Sequence, residues 1–353
     1  MRDHFQIPHP RYLLSHSIGP LTALGNTYLQ ENYLGAWKTQ GKNTWPKWLE
    51  IIDKFRNSLG ILLNASPSNI CPQPSVGTGF AAFLTSLPKT GKRRILMHSD
   101  AFPTMGFVVQ SLSNNFELDL IPKQLPATNP QVWLDHITDD TCAVLLTHVY
   151  SNTGLLSDIK RLSSALKKPD IYIMADIAQS AGIIPIDLTA WNVDAVFGSC
   201  VKWLCGGPGA GFMWIKKDLI GELNPSPAGW FSHENPFEFD IRNLRYAQDA
   251  LRFWGGTPNV APYATALGGI NTLQEFGIDV IRAHNQSLLT IVRPNLDLNG
   301  NGGTLCVDIT DERYAKLDEY EFQFDRRGNI ARLSFHIFNT DKDATLVAEC
   351  LKA

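Results

Sequence analysis

The sequence predicts an α/β fold: a large domain around a mainly parallel sheet with helices on both faces, then a small C-terminal α+β domain. Three observations predict it. From about residue 50 onward, short apolar runs alternate with stretches of helical period, the pattern of strands joined by helical crossovers. Those short runs are apolar almost throughout, as in strands buried on both faces. Toward the C-terminus the alternation stops, and strands with one last helix follow without it.

Taken in order, "WPKWLEIIDKFRNSLGILL" carries apolar residues at helical spacing. "RRILMHS" is a strand, "MGFVVQSLSNN" a helix and "ELDLIP" a strand. "QVWLDHI" is helical, "CAVLLTHV" a strand, "SDIKRLSSALKK" a helix, and "IYIMAD" and "DAVFGS" are strands. "VAPYATALGGINTLQEFG" opens the helical stretch that closes the large domain near residue 284. Beyond it, "NLDLNGNGGTLCVDI" reads as a turn feeding a strand, "YEFQF" and "IARLSFHIF" as strands, and "KDATLVAECLKA" as a helix. The expected division is an N-terminal segment 1–45 beside the small domain, a large domain 46–284 and a small domain 285–353.

Composition narrows the class. Of 353 residues, 44% are hydrophobic and 18% charged, which suits a compact enzyme-like globule and excludes long disorder. A net charge of −3 gives no general attraction to nucleic acid or to an acidic membrane. No apolar run approaches the roughly 18 residues of a membrane span. The opening "MRDHFQIPHPRYL" lacks the apolar core of a signal peptide. The six cysteines form no C-x-x-C pair and read as buried reduced thiols. These readings lead to the expectation of a cytoplasmic protein with a small-molecule substrate and no nucleic-acid, membrane or metal partner.

One lysine stands out. Lys202 lies in the run "DAVFGSCVKWLCGGPGAGFMWI", uncharged apart from it between Asp194 and Lys216. An ammonium is costly to bury unless paired or neutralised. The strand "IYIMAD" ends on Asp176, and in open parallel sheets ligands bind beyond the carboxyl ends of the strands. An Asp there serves either as a helix cap or as a group aimed into the crevice. Two strands joined by one helical connection present Asp176 and Lys202 to the same crevice. A lysine in a dry site has a depressed pKa and forms a Schiff base with an aldehyde. A carboxylate opposite can keep a pyridine nitrogen protonated, the electron sink of pyridoxal phosphate (PLP). "SVGTGF" precedes a helical run, and free amides at a helix start hold phosphate. The glycines of "GGPGAG" serve a tight turn or a close approach to a cofactor. No P-loop, H-E-x-x-H or G-x-S-x-G motif competes.

"ADIAQSAGIIPIDLTAWNVDAVFGSCVKWLCGGPGAG" resembles the lysine segment of the class V, fold type I PLP enzymes, and most of all that of kynureninase. "YLLSHSIGPL", "SVGTGF", "DAFPT", "LLTHVYSNTG", "GWFSHENPFEFD", "RFWGGTPNVAPYATAL" and "FDRRGNIARLSFHIFNT" follow in family order. The resemblance implies that Lys202 is the Schiff-base lysine and Asp176 the partner of the pyridine nitrogen. It places Phe102 on the cofactor ring, and Ser75, Val76, Trp230 and Thr257 around the phosphate, Thr257 reaching it from a second subunit. Gln179 and Ser199 complete the cofactor set, while Arg332 and His233 take the substrate, Arg332 through its carboxylate. It further implies a homodimer with shared sites and hydrolytic Cβ–Cγ cleavage of a kynurenine-type amino acid. Other reactions of the class, namely transamination, desulfuration and epimerisation, remain alternatives, as does a non-catalytic PLP-binding homologue. Four positions depart from kynureninase: Met105, Tyr150 and Gln179 stand where it has aspartate, asparagine and histidine, and Val201 where it has a phosphate-binding tyrosine.

Overall fold

A computed structural model describes residues 1–352; Ala353, the last residue of the expected C-terminal helix, lies outside the described residues. Two N-terminal strands, β1 (Phe5–Gln6) and β2 (Leu21–Thr22), form a small antiparallel pair. The main sheet has seven strands: β3 (Ile70–Gln73), β4 (Arg94–His98), β5 (Glu117–Ile121), β6 (Thr141–Thr147), β7 (Tyr172–Asp176), β8 (Ala195–Ser199) and β9 (Gly211–Ile215). Their order is β3-β9-β8-β7-β6-β4-β5. Strands β8, β7, β6, β4 and β5 run parallel, and β9 and β3 close the β8 side antiparallel. The expected α/β architecture is therefore the observed one. β6 and β9 are buried at every position, which accounts for their unbroken apolar sequences.

Two apolar clusters sandwich the sheet. On one side the helix Thr44–Leu63 buries Ile51, Ile52, Phe55, Leu59 and Leu63 at intervals of one to four residues, so a single stripe meets the core. It stops at Asn64, whose left-handed φ of 49° ends the helix. On the other side the helices Val76–Ser86 and Pro103–Ser111 pack through Phe80, Phe83, Leu84, Met105 and Val109.

The crossover from β7 to β8 departs from expectation. Residues 177–194 run through turns rather than a helix, because Gly182 adopts φ +98° and Pro185 cannot donate to a helical ladder. Asp176 and Lys202 still reach one sheet edge, since β7 and β8 are direct neighbours.

The C-terminal sheet comprises β10 (Thr304–Asp308), β11 (Asp325–Arg327) and β12 (Ile330–Ser334), antiparallel in the order β10-β12-β11. The strand expected at 320–324 lies at 325–327 instead. Residues 320–322 close the preceding helix: Glu321 turns left-handed at φ 54° and Phe322 N–H returns to Leu317 O. Residue 284 falls inside the helix Ile278–Val292. The N-terminal chain is stitched to the small sheet, with Leu13 N donating to Gln323 O and Ser334 N to Leu13 O. Among the described residues no helix is long and apolar enough to cross a membrane.

Candidate active site

The carboxyl ends of the parallel strands open onto a cavity of about 380 Å³ lined by Ser75, Val76, Phe102, Asp176, Gln179, Ser199 and Lys202, with Met105, Thr147 and Val201. Asp176 ends β7 beside Thr147 of β6 and Phe197 of β8. It is buried, and its Oδ1 accepts from Ala178 N–H at 2.8 Å. Burial pushes the Asp176 carboxyl above the usual carboxylate range; the Ala178 amide and the Lys202 charge pull it back.

Lys202 follows β8 by three residues. Burial lowers its ammonium to about 8; Asp176 opposes that shift, and the guanidiniums of Arg332 and Arg327 add to it. Its Nζ lies 5.5 Å from the centroid of the Phe102 ring. Gly207 and Gly209, at φ +69° and +91°, turn the chain into the antiparallel β9. The turn that carries the lysine is pressed against the N-terminal segment. Gly19 N–H donates to Val201 O, and a Cβ on Gly19 would stand 2.1 Å from Lys202 O.

At the opposite wall Ser75 caps the helix Val76–Ser86. Its Oγ accepts from Thr78 N–H while Thr78 Oγ1 accepts from Ser75 N–H, a reciprocal cap that fixes the helix start. The leading amides of this helix carry the positive end of its dipole, which favours an anion. Gln179 donates from Nε2 to His16 O at 3.1 Å, while its Oε1 is buried without a partner. An orphaned buried amide oxygen, a lysine amine of lowered pKa, a buried carboxylate and a helix start all line one space. That set fits a phosphorylated pyridine aldehyde.

Arg332 on β12 is fully buried and donates from Nη1 to Asp325 Oδ2 at 2.5 Å. Among the described residues its Nε and Nη2 are buried with no hydrogen-bond partner. It stands outside the lining of the Lys202 cavity but close enough for its charge to depress Lys202. Arg327, from the same small sheet, donates to Asn152 Oδ1 and to Ser151 Oγ, whose residue lines that cavity.

Trp230, Thr257 and His233 are placed elsewhere. Trp230 Nε1 donates to Thr257 Oγ1 at 3.2 Å, and Trp230 and His233 line a separate groove with Phe239 and Ile241. His233, expected on the substrate side, spends both ring nitrogens within its own loop. Nδ1 accepts from Asn235 N–H, and Nε2 lies 2.9 Å from Asn243 O. His148 is core-bound, against Ser180 and Trp191. Sequence reasoning missed three residues, His16, Asp325 and Arg327, although the motifs "YLLSHSIGPL" and "FDRRGNIARLSF" contain them.

A family model described as Aminotransferase class-V matches residues 27–318. The chain belongs to the class-V aminotransferases. PLP is its cofactor, and the cavity around Lys202 is where the residues fit it. An uncharacterized aminotransferase of Bacillus subtilis, YcbU, is 28% identical over 325 residues, 89% of this chain and 86% of that protein. A kynureninase of Deinococcus radiodurans is 28% identical over 297 residues, 81% of this chain and 71% of that protein. Among solved structures, a complex of the cystine C-S lyase C-DES with cysteine persulfide superposes with a TM-score of 0.84 at 21% identity, covering 97% of each chain. A cysteine desulfurase of Thermococcus onnurineus does so with a TM-score of 0.84 at 16% identity, covering 97% of this chain and 93% of that one. At such identities the likeness to these two is one of fold.

Proposed function

We propose that the protein removes the α-proton of a kynurenine-type amino acid and then breaks its Cβ–Cγ bond hydrolytically, in the manner of kynureninase, to give alanine and an aromatic acid. The observation that carries the reading is the pairing of Lys202, its pKa lowered to about 8, with a buried Asp176 in one cavity. PLP, when bound, supplies an aldehyde for an amine and a ring that draws electrons away from the substrate Cα.

The protein's own residues do the rest. Asp176 has Oδ1 occupied by the Ala178 amide, so Oδ2 is left to accept a ring N–H and hold it protonated. Ser75 and Val76 offer the helix start to a phosphate, and Phe102 covers a ring face. Lys202 at about 8 has a substantial neutral fraction at physiological pH, so its Nζ can take the Cα proton and return it. Arg332 offers Nε and Nη2 to the α-carboxylate as a two-pronged donor.

Transamination is the second reading, favoured by one residue. Gln179 lines the cavity where kynureninase has a histidine. Desulfuration through a persulfide is disfavoured. Five of the six cysteines are buried, and Cys306, partly exposed, is fixed on β10 with burial pushing its thiol up to about 11.

We extend the reading to a homodimer. Trp230 and Thr257 bond to each other outside their own chain's cavity, and nearby Phe237, Phe239 and Ile241 are exposed. A second subunit covers such a surface and brings Thr257 to its neighbour's phosphate. Light scattering reads a dimer on this account; a fully active monomer refutes the shared site. The test of the reaction is product identification after incubating the PLP-loaded protein with kynurenine, 3-hydroxykynurenine, cysteine and simple amino acids, the last with a keto acid. Anthranilate with alanine supports cleavage, and a new amino acid from the keto acid replaces it with transamination.

A further inference from the structure

His16 lies in the N-terminal segment and, like Asp325 and Arg332 of the C-terminal sheet, falls outside residues 27–318. It is completely buried and meets both halves of the site. Its main-chain oxygen accepts from Gln179 Nε2 at 3.1 Å, on the cofactor side. Its N–H donates to Ser334 Oγ at 3.1 Å, and its Nδ1 lies 2.8 Å from the same oxygen. Its Nε2 makes no hydrogen bond among the described residues and stands 3.5 Å from Asp325 Oδ2, the oxygen that accepts from Arg332 Nη1.

The consequence lies in which edge of Arg332 is left free. A guanidinium is a rigid planar fork, and the hydrogens of Nε and Nη2 point out of one side of it. With Nη1 held by Asp325, that side is the unpartnered one, ready for a carboxylate. Asp325 thus selects the edge that Arg332 presents, and His16, clamped by Ser334, faces the carboxylate that does the selecting. The geometry points to His16 as a positioning residue for recognition of the substrate α-carboxylate, aligning Arg332 through Asp325 with its ring while its main chain aligns Gln179. This rests on the reading of Arg332 given above.

The charged groups facing the imidazole are Asp325 and Arg327 from β11 and Arg332 from β12. Burial and the two guanidiniums hold its pKa down to about 4, so the ring stays neutral through the physiological range.

The experiment titrates PLP-loaded protein with L-alanine and, separately, with ethylamine, an amine without a carboxylate, following the cofactor's absorption. His16→Asn keeps a polar atom near Ser334 but withdraws from Asp325; His16→Gln reaches Asp325 again. We expect His16→Asn to weaken L-alanine by about tenfold, as a misaligned two-pronged contact would, and to leave ethylamine unchanged. His16→Gln restores most of the loss. If His16→Asn does not fold, Asp325→Asn should give the same selective loss. Equal weakening of both ligands, or none in either, overturns the proposal. Arg332→Ala separates the two readings. A selective loss there without one in His16→Asn refutes the role of His16 alone, whereas an unchanged L-alanine affinity refutes the carboxylate assignment itself.

Discussion

Asp176 and Ser199 reach the cavity from the ends of strands in one seven-stranded sheet, and Lys202 from the turn just beyond. Arg332 reaches its place from a separate three-stranded sheet, held by Asp325 and by an N-terminal segment more than 300 positions away in sequence. The first half is fixed by register: once β6, β7 and β8 pair in parallel, Thr147, Asp176 and Phe197 are neighbours. The second half depends on a chain of side-chain contacts from Ser334 to His16 to Asp325 to Arg332. On the proposed reading the sheet edge sets up the proton chemistry. The small-sheet half is assembled from remote pieces and, on the same reading, governs which molecule is held.

That difference predicts how each half fails. Asp176→Asn should retain some cofactor and lose nearly all turnover, because an amide cannot keep the ring nitrogen protonated. Retention of more than about a tenth of wild-type activity corresponds to a loss below roughly 1.4 kcal/mol in the barrier and makes Asp176 a cap only. Arg332→Ala should act on binding, weakening the substrate by about 2–4 kcal/mol while cofactor binding persists. An unchanged KM removes Arg332 from that role. Gly19→Ala probes the seam between the halves, since its Cβ would meet the main-chain oxygen of Lys202 at 2.1 Å. Overpacking of this kind costs about 1–3 kcal/mol, read as a lowered denaturation midpoint together with an altered cofactor spectrum. A midpoint and spectrum equal to wild type contradict the seam.

A further effect, common to both halves, is in pH. His16, His148 and His336 are buried, and burial lowers their pKa values to about 4, 3 and 4 from 6.5. Between pH 6.5 and those values the unfolded chain binds more protons than the folded one, so stability is complete above 6.5 and falls as the pH drops. Each histidine contributes up to about 1.4 kcal/mol per pH unit in that window. Urea midpoints measured from pH 7.5 to 4.5 should decline. A flat series contradicts the neutral buried histidines.

The sheet half of the site was legible because its signals are local. A buried strand ending on an acid and a lone lysine in an apolar run are each visible within ten residues, and both came to the same cavity. The β7–β8 crossover was misjudged because helical connections are the usual partners of parallel strands, whereas Gly182 and Pro185 impose turns here. Asp325 was read past because alternation in "YEFQF" suggested a strand one step too early, where the helix end takes the chain instead. His16 carried no local sign at all. Its meaning comes from Ser334 and Asp325, and no periodicity reports a contact across the whole length of a chain.

Lys202 is the residue on which the account turns, because both halves of the site are arranged around its amine. Borohydride reduction of the PLP-loaded protein, followed by peptide mapping, reads its role directly. The account predicts one pyridoxyl label, on the peptide carrying Lys202. A label on any other lysine, or none with cofactor present, contradicts it.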